Sequence, residues 1–491
     1  MTTFSNIKIS ALGNFRFRRM KNGYIVSNDC GDWAYLPGRN FSRFLEGGIT
    51  AGEKIYKELT EKQFIRPDRK KLADQASKYL LLHSSSYSRG TRLFIVVLTL
   101  RCNHRCLYCQ STPEKPNADG VDMSEVTAKK TLDLIFQSPS PSIAIEFQGG
   151  EPLLNWPVLE YMVRYAEELA KIKRKNLSVN LVSNLTLLDD EKIQFLLDHG
   201  VSISCSLDGP AEVHDKNRPY LGKGGSYAHV LRQIQRLNRA IKQKRADANG
   251  RFVDELNAIT TISKFSLPFG KEIIDEYVRL GFSNIFLRPL SPFGLIQKTY
   301  DLIGCTAKEF IPFYLKALDY ILDLNSRGTF IVERNAYYAL CKILKNVDPA
   351  YYELRDPCGA GIGQMAFNFD GAIYTCDEGR MAARMGHDNF RIGDVSSSRF
   401  NELIDHDVTK TMCVASCLDN HAGCADCVYK PYCGVCPLVH YMEYGTIFPQ
   451  ISATDQCKIK IAMFDYLFSK ITTPKMKVIF ERWLERPALF Q

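Results

Sequence analysis

Between residues 92 and 290, short apolar segments alternate with amphipathic segments of helical length. Strands that alternate with helices in this way form right-handed βαβ units around a parallel sheet. The predicted strands are 93–100, 142–148, 177–184, 201–208, 256–263 and 284–290, and the predicted helices lie near 123–137, 156–173, 189–198, 226–243 and 270–280. These six strands are too few for a closed eight-stranded barrel, so the sequence predicts an α/β fold with a partial barrel or an open sheet. Active residues are then expected at the carboxyl ends of the strands.

The chain is 491 residues long, which is too long for one ordinary core. Before the barrel, GYIVSN and WAYLP flank the turn-like DCGD, which predicts a hairpin, and helices are expected near 40–46 and 51–63. This order is interpreted as a compact winged-helix-like unit, followed by a linker at 84–90. The predicted domains are a winged-helix-like module at 1–85, a barrel at 92–300, connecting helices at 301–349 and a cysteine-rich region with a C-terminal helix at 350–491.

Composition excludes several classes of protein. The longest strongly apolar stretch, 93–100, has the length of a strand, so no membrane span is expected. The N-terminus lacks the apolar centre of a secretory signal, which predicts a cytoplasmic protein. The net charge of +9 is modest, and the basic runs at 171–175 and 242–245 lie on predicted helix faces. Because no dense basic stripe is interleaved with aromatic residues, nucleic-acid binding is not expected.

Sixteen cysteines in such a chain indicate metal or redox chemistry, since a reducing compartment disfavours disulfides. Four of them stand apart from the clusters and are expected to be small buried hydrophobic residues: Cys30, Cys205, Cys305 and Cys341. Most of the others lie in two clusters, which carry the functional prediction.

The first cluster, LTLRCNHRCLYCQ at 98–110, follows the first predicted strand directly. Cys102, Cys106 and Cys109 have the spacing C-x3-C-x2-C. One interpretation is a zinc site with His104 or a distant residue as fourth ligand, although zinc motifs more often contain pairs of C-x2-C. The other is a [4Fe–4S] cluster held by three thiolates, with one iron left free. His104 itself is expected to be a surface residue.

With Tyr108 directly before the third cysteine, this cluster resembles the signature of radical S-adenosylmethionine enzymes. The resemblance implies a partial (β/α)6 TIM barrel and a free iron that chelates the amino and carboxylate groups of S-adenosylmethionine. It also implies that one electron, ultimately from an external donor, cleaves the sulfonium and yields a 5′-deoxyadenosyl radical. The cofactor carries that chemistry, and the protein positions it.

Segments after the next strands resemble further motifs of the same enzymes. In FQGGEPLLNW, Gly149 and Gly150 would let the backbone approach the ligand closely, and Glu151 is suited to accept from the methionine ammonium. The other candidates for cofactor contacts follow strands three and four and include an arginine that could pair with a carboxylate: Ser183, Asn184, Ser206, Asp208 and Arg218. Arg288, after strand six, is a further candidate. Each of these polar residues could instead cap a helix or form a structural ion pair.

The second cysteine cluster lies beyond residue 350 and contains C-x2-C pairs, which also occur in zinc ribbons. Its seven-cysteine order resembles the SPASM extension, which implies two auxiliary [4Fe–4S] clusters and three clusters in all. By this resemblance the first auxiliary cluster is held by Cys358, Cys376 and Cys436, and the second by Cys424, Cys427, Cys433 and Cys457. The last pair of the block has the spacing x2 where the family usually has x3.

A second departure concerns the first auxiliary cluster. Where relatives place a fourth ligand, six residues after the first cysteine, this chain has Gln364. The cluster is therefore expected to have an open iron or to borrow Cys341, Cys413 or Cys417. Asp377 follows a cluster cysteine, and the sulfatase-maturing relatives use the Asp in this place to take a proton from substrate. The alternative is that Asp377 binds loop amides.

The SPASM resemblance spans residues 92–460 and implies a peptide or small-protein substrate, and the N-terminal module resembles leader-recognition units that pair a peptide with a sheet edge. From FRFRRMKNGYIVSND to CADCVYKPYCGVCPL the whole chain resembles the His-Xaa-Ser system radical maturases. That implies a second radical enzyme as partner and a substrate with His-Xaa-Ser repeats. The alternatives are a sulfatase-type maturase that forms formylglycine and a non-catalytic iron–sulfur or zinc scaffold.

Overall fold

The computed structural model describes residues 11–83, 90–221, 224–244, 253, 255–349 and 351–485. Among these residues, no helix is both long enough and apolar enough to cross a membrane. The predicted linker at 84–90 lies outside the described residues except for Gly90.

The N-terminal module is a three-stranded antiparallel sheet followed by helices. Strands β1 (Arg16–Met20), β2 (Gly23–Ser27) and β3 (Trp33–Pro37) pair in the order β1-β2-β3. The β2–β3 pairing, with Ser27 opposite Trp33, confirms the hairpin predicted around DCGD. The helices are α1 (Gly38–Leu45), α2 (Lys54–Glu61) and α3 (Arg69–His83). The module has its own core, formed mainly by Val26, Leu36, Phe41, Phe44, Leu59 and Phe64.

Six of the nine strands of the central sheet come from the predicted barrel region. They are β4 (Leu93–Thr99), β5 (Ser142–Gly149), β6 (Asn176–Ser183), β7 (Val201–Ser206), β8 (Asn257–Ile262) and β10 (Leu287–Pro289), all parallel, with β9 (Asn284–Ile285) just before β10. The helices between them are α4 (Glu125–Ile135), α5 (Trp156–Lys173), α6 (Asp190–Asp198), α7 (Ala211–Asn217), α8 (Tyr227–Gln243) and α9 (Gly270–Arg279). The alternation is confirmed, but the sixth predicted strand is divided in two and α7 was not predicted.

Local caps explain where several of these helices begin. The Ser124 side chain accepts from the amide of Thr127 at α4, and Asp189 accepts from Lys192 at α6. Such side chains satisfy amides that have no partner within the first turn of a helix.

The sheet continues beyond the barrel region, which the sequence did not predict. Strand β12 (Gln364–Phe367) pairs in parallel with β4, and β13 (Ala372–Tyr374) and β14 (Arg391–Asp394) extend the sheet antiparallel. The full order is β10-β8-β7-β6-β5-β4-β12-β13-β14. The expected six-strand sheet is therefore a nine-strand sheet, because part of the region predicted to be loop-rich pairs with the free edge of β4.

The remaining elements are mostly helical. They are α10 (Ile296–Ile303), α11 (Ala307–Ser326), β11 (Val332–Glu333), α12 (Arg334–Lys345), α13 (Asp377–Arg384), α14 (Phe400–Asp405), α15 (Asp407–Ser416), α16 (Pro437–Tyr444), α17 (Asp455–Ile471) and α18 (Pro474–Leu484). Helices α11 and α12 confirm that the region 301–349 contains connecting helices, as the sequence predicted.

The N-terminal module is docked on the C-terminal region. Arg18 forms a two-point ion pair with Asp465 of α17, with N–O distances of 2.7 and 2.9 Å. The Ser27 hydroxyl donates to the Val428 carbonyl at 2.6 Å, and the Trp33 indole donates to the Ile343 carbonyl at 3.0 Å. These contacts place β1 against α17, β2 against the loop that contains Val428, and β3 against α12.

Candidate active site

A cavity of about 810 Å³ extends along the parallel strands and reaches their carboxyl ends, where the fold class predicts active residues. Its wall brings together nearly all of the residues expected to surround the first cluster and the cofactor: Cys102, Cys106, Tyr108, Cys109, Gly149, Gly150, Glu151, Ser183, Asn184, Ser206 and Arg218. Asp208 lies behind this wall, where it is fully buried. The sequence-predicted residues therefore form one site.

The two glycines at the carboxyl end of β5 are needed for contact between backbone segments. The amides of Gly150 and Glu151 donate to the carbonyls of Thr99 and Arg101, both at 2.8 Å. A Cβ atom on Gly149 would lie 2.3 Å from the Thr99 oxygen, and one on Gly150 would lie 2.1 Å from the Arg101 oxygen. These glycines allow a close approach to the start of the cysteine loop, which holds the two motifs in register, and the approach to the ligand remains a prediction.

Glu151 joins the ends of β5 and β6. One carboxylate oxygen accepts from the Ser183 hydroxyl at 2.8 Å and from the Leu153 amide at 3.1 Å, and the other accepts from the Asn184 amide at 2.8 Å. Burial raises the pKa of Glu151 to about 7, although these donors oppose the shift. Asn184 in turn donates to Asn103 of the cysteine loop at 2.8 Å. The predicted role of Glu151 toward a methionine ammonium remains a prediction.

Arg218 is a buried positive charge beside the cysteine loop. Its Nε lies 3.2 Å from a carboxylate oxygen of Asp208, which also accepts from the Tyr108 hydroxyl. Its guanidinium carbon lies 5.2 Å from the centre of the Tyr108 ring, and one terminal nitrogen lies 3.9 Å from the Cys106 sulfur. Burial raises the pKa of the Cys106 thiol to about 12, and Arg218 acts in the opposite direction. Arg218 therefore favours the thiolate that a metal cluster requires.

His104 was expected at the surface, and that prediction is wrong. Its side chain is 1% exposed, and both ring nitrogens are buried without a hydrogen-bond partner among the described residues. The ring meets Tyr220 edge-on at 5.3 Å, and the neighbouring Arg105 amide donates to the Pro219 carbonyl at 2.8 Å. These contacts with Pro219 and Tyr220 place the cysteine loop beneath the segment that follows α7. Burial lowers the pKa of His104 to about 3, so the ring is neutral.

Cys358, Cys376 and Cys436 lie in one packed cluster with Phe293, Met412 and Leu438. Cys376 and Cys436 stand at the first positions before α13 and α16. Burial raises the pKa of all three thiols, and the backbone amides of Ala360, Gly379 and Val439 respectively oppose that shift. Amide donors favour a thiolate over a thiol, so these residues fit an iron–sulfur cluster.

The other four cysteines of this region, Cys424, Cys427, Cys433 and Cys457, line a separate cavity of about 70 Å³. Burial raises the pKa of the Cys427 thiol, and the Tyr429 amide together with Arg18 and Arg16 of β1 opposes that shift. These four cysteines lie apart from Cys358, Cys376 and Cys436, and the assignment of either group to an iron–sulfur cluster remains a prediction. In the described part of the chain, no three His, Cys, Asp or Glu residues are spaced to hold a single metal ion.

Asp377 lies away from the large cavity. Its carboxylate accepts from Arg380 at 2.7 Å, and both side chains are buried. The structure shows this buried ion pair for Asp377, and both roles considered for the residue remain predictions. The next residue, Glu378, lines the cavity instead.

Several cavity residues were missed by the sequence reasoning, among them Glu146, Arg334, Tyr338, Tyr351 and Glu378. Glu146 was detectable in principle, because a carboxylate in the middle of the apolar segment SIAIEFQ is costly to bury. Arg288, which was considered, lines the cavity and pairs with Glu353 at 3.1 Å.

Of the four isolated cysteines, Cys30, Cys205 and Cys341 are buried as expected. Cys305 is only partly buried, because it lies in the loop before α11, so the prediction is wrong there. Cys341 lies on the cavity wall, and Cys413 and Cys417 are partly exposed.

Residues 96–247 match the sequence profile of the Radical SAM superfamily, so the chain contains a radical SAM domain. Among its relatives, the cysteine-type anaerobic sulfatase-maturating enzyme of Clostridium novyi is 24% identical over 351 residues, which cover 70% of this chain and 87% of that enzyme. The radical SAM cyclopropyl synthase TigE of Paramaledivibacter caminithermalis is 19% identical over 377 residues, which cover 73% of this chain and 70% of TigE.

Two solved structures share the fold. The anSMEcpe structure with bound AdoMet superposes with a TM-score of 0.65 at 18% identity and covers 79% of this chain and 100% of that chain. Streptococcus suis SuiB bound to the precursor peptide SuiA superposes with a TM-score of 0.53 at 14% identity and covers 91% of this chain and 99% of SuiB.

Proposed function

We propose that this chain is a radical S-adenosylmethionine enzyme that modifies a peptide or small protein by hydrogen abstraction from a C–H bond, followed by cross-linking or oxidation. The observation that carries the proposal is the 810 Å³ cavity, in which the cysteine loop, Gly149 to Glu151 and Arg218 meet. Ligand sites of enzymes commonly have volumes of about 300–1,000 Å³. The cavity is therefore large enough for the cofactor and one reacting side chain.

In this proposal Cys102, Cys106 and Cys109 hold the first [4Fe–4S] cluster. Glu151, Ser183, Asn184 and Ser206 bind S-adenosylmethionine along the adjoining strand ends. When bound, the cofactor and its cluster supply the one-electron chemistry that removes a hydrogen atom from an unactivated carbon. Arg218, Asp208 and Tyr108 keep the cysteine loop in place, and Arg218 opposes the rise that burial causes in the pKa of the Cys106 thiol.

A peptide substrate is supported by what solved relatives bind. Structures of anSMEcpe contain AdoMet with the Cp18Cys peptide, and SuiB is bound to its precursor peptide SuiA. The two auxiliary cysteine groups would relay electrons, and an external donor would supply the first electron. The finer proposal is a leader-guided substrate with His-Xaa-Ser repeats and a second radical enzyme as partner, which rests on the resemblance of the whole chain.

Mass spectrometry of the small protein encoded beside this chain tests the proposal after co-expression of the two. A product with a changed mass is expected with the intact chain and is expected to disappear with Cys102→Ala/Cys106→Ala/Cys109→Ala. Cys305→Ala is the matched control, because Cys305 lies outside all three cysteine groups. An identical set of products from the intact chain and the triple variant would exclude a radical modification.

A second candidate is a sulfatase-type maturase that forms formylglycine. The 24% identity to the sulfatase-maturating enzyme of Clostridium novyi favours it. The buried Arg380 partner of Asp377 argues against it to the extent that Asp377 must take the substrate proton. Incubation of the reconstituted chain with a cysteine-containing sulfatase peptide distinguishes the two, because only this candidate converts the cysteine side chain into an aldehyde.

A further inference from the structure

Helix α13 connects the first group of auxiliary cysteines with the loop of the first cluster. Cys376 directly precedes this helix, and the Arg380 amide donates to the Cys376 carbonyl at 3.3 Å. One turn further along, the Arg384 side chain donates to the Glu114 carboxylate at 2.8 Å. The Glu114 carbonyl in turn accepts from the Cys102 amide at 3.1 Å. The helix is therefore attached to both predicted metal sites.

Arg380 is the buried charge within this connection, since its side chain is 1% exposed. Its Nε lies 2.7 Å from a carboxylate oxygen of Asp377, and Nη2 lies 3.4 Å from the Ser111 hydroxyl oxygen. Asp377 follows Cys376 directly, and Ser111 follows Cys109 by two residues. Two residues of chain span at most about 7 Å. Arg380 thus contacts a near neighbour of one predicted ligand in each site.

The guanidinium of Arg380 has an unused donor. Its Nη1 is buried and has no hydrogen-bond partner among the residues that the structure describes. A buried donor without an acceptor is costly, which indicates that the acceptor is a group other than the protein. An iron–sulfur cluster held by thiolates is anionic and accepts hydrogen bonds at its sulfurs, so it fits a position beside this side chain.

We infer that Arg380 serves both the first cluster and the first auxiliary cluster, and that its charge raises the reduction potential of each. The inference rests on the proposed function, which supplies the clusters. A nearby cation favours the reduced form of a cluster, because reduction adds a negative charge. Asp377 offsets part of this effect. The ion pair on α13 therefore sets how readily each of the two sites accepts an electron.

Redox titration of the full reconstituted chain, followed by electron paramagnetic resonance, tests the inference. The first cluster is identified by the signal that changes when S-adenosylmethionine is added, and the first auxiliary cluster by the signal that Cys358→Ala/Cys436→Ala removes. Arg380→Met should shift both potentials to more negative values, because Asp377 is left without its cation. Asp377→Asn should shift both to more positive values, because Arg380 is left without its counter-charge.

The opposite signs separate an electrostatic effect from damage to the fold, which would lower the iron content of both variants. Arg380→Lys keeps the charge and should give potentials closer to those of the intact chain than Arg380→Met does. Arg384→Met is the matched control on the same helix. Its ion pair with Glu114 is partly exposed, so solvent screens the charge and the potentials should change far less.

Shifts of the same sign in Arg380→Met and Asp377→Asn would overturn the inference, as would unchanged potentials in variants with normal iron content. A shift in Arg384→Met as large as that in Arg380→Met would also overturn it. If Arg380→Met binds no iron, the sign of the shift in Asp377→Asn decides. An intact chain that binds no iron would remove the clusters and with them the proposed function. A failure confined to the potentials leaves that function standing, because the mass of the product measures it separately.

Discussion

At the scale of single residues, the site depends on a few buried charges that neutralise one another. Arg218 and Asp208 are both buried, and Tyr108 and Cys106 of the cysteine loop contact this pair. A buried ion pair contributes little net stability, but removal of one partner leaves an uncompensated charge. Arg218 is therefore expected to control both the stability of the loop and the state of its thiols.

Arg218→Gln should lower the free energy of unfolding by about 3 kcal/mol, because Asp208 is left buried and unpaired. Urea unfolding of the cluster-free chain measures this. Adding Asp208→Asn should recover part of the loss. Arg232→Gln, on the exposed face of α8, is the control and should be close to neutral. Equal losses in the two arginine variants would contradict the buried-pair explanation.

At the scale of elements, the contacts between backbone segments decide how the site is assembled. The Gly-Gly-Glu segment after β5 donates two amides to the start of the cysteine loop after β4. At the other end of the chain, β1 is attached to α17 by Arg18 and Asp465. Both contacts join elements that are distant in the sequence.

Gly150→Ala should displace the cysteine loop, since the added Cβ would lie 2.1 Å from the Arg101 oxygen. The expected result is reduced iron uptake by a chain that still contains its auxiliary cysteines, together with a lower melting temperature. Gly52→Ala, which meets no atom within 4 Å, is the control. Normal iron content in Gly150→Ala would show that the loop tolerates the shift.

Arg18→Met should loosen the N-terminal module from α17. The ion pair with Asp465 is partly exposed and bidentate, so its loss should lower the free energy of unfolding by about 1 kcal/mol. Faster limited proteolysis between the module and the barrel measures the loosening. Arg19→Met, on the exposed face of the same strand, is the matched control. The same cleavage rate in both variants would indicate that other contacts hold the module.

At the scale of the whole molecule, Glu333 connects the barrel to the helices that cover it. Its carboxylate accepts from the Tyr314 hydroxyl of α11 at 2.6 Å, from the Ala336 amide of α12 at 2.8 Å and from the Leu287 amide of β10 at 3.3 Å. Burial raises the pKa of Glu333 to about 7, despite these donors. The folded chain therefore holds this proton more tightly than the unfolded chain.

Stability contributed by the protonated Glu333 is present below pH 4.5, the ordinary pKa of Glu, and is lost as the pH rises through about 7. Between these two pH values the free energy of unfolding of the intact chain should fall by on the order of 3 kcal/mol relative to that of Glu333→Gln, because the glutamine cannot ionise. Urea unfolding at a series of pH values measures the difference. A difference that does not change with pH would show that Glu333 is ionised in both states.

The sequence alone determined most strands and helices of the barrel, the two cysteine clusters and the residues of the cysteine and Gly-Gly-Glu motifs that meet in the large cavity. It could do so because these features depend on local periodicity, on spacing within short loops and on the rule that parallel strands end at one edge. It predicted the hairpin around DCGD and both connecting helices for the same reason.

Only the tertiary structure decided the rest. The pairing of β12 with β4 extends the sheet to nine strands, and the contact with Tyr220 buries His104. Asp377 forms an ion pair with Arg380, whereas the adjacent Glu378 lines the cavity. Each of these outcomes depends on a partner far along the chain or on which of two adjacent side chains turns inward. Residue spacing carries no information about either choice, because both are made by packing between elements.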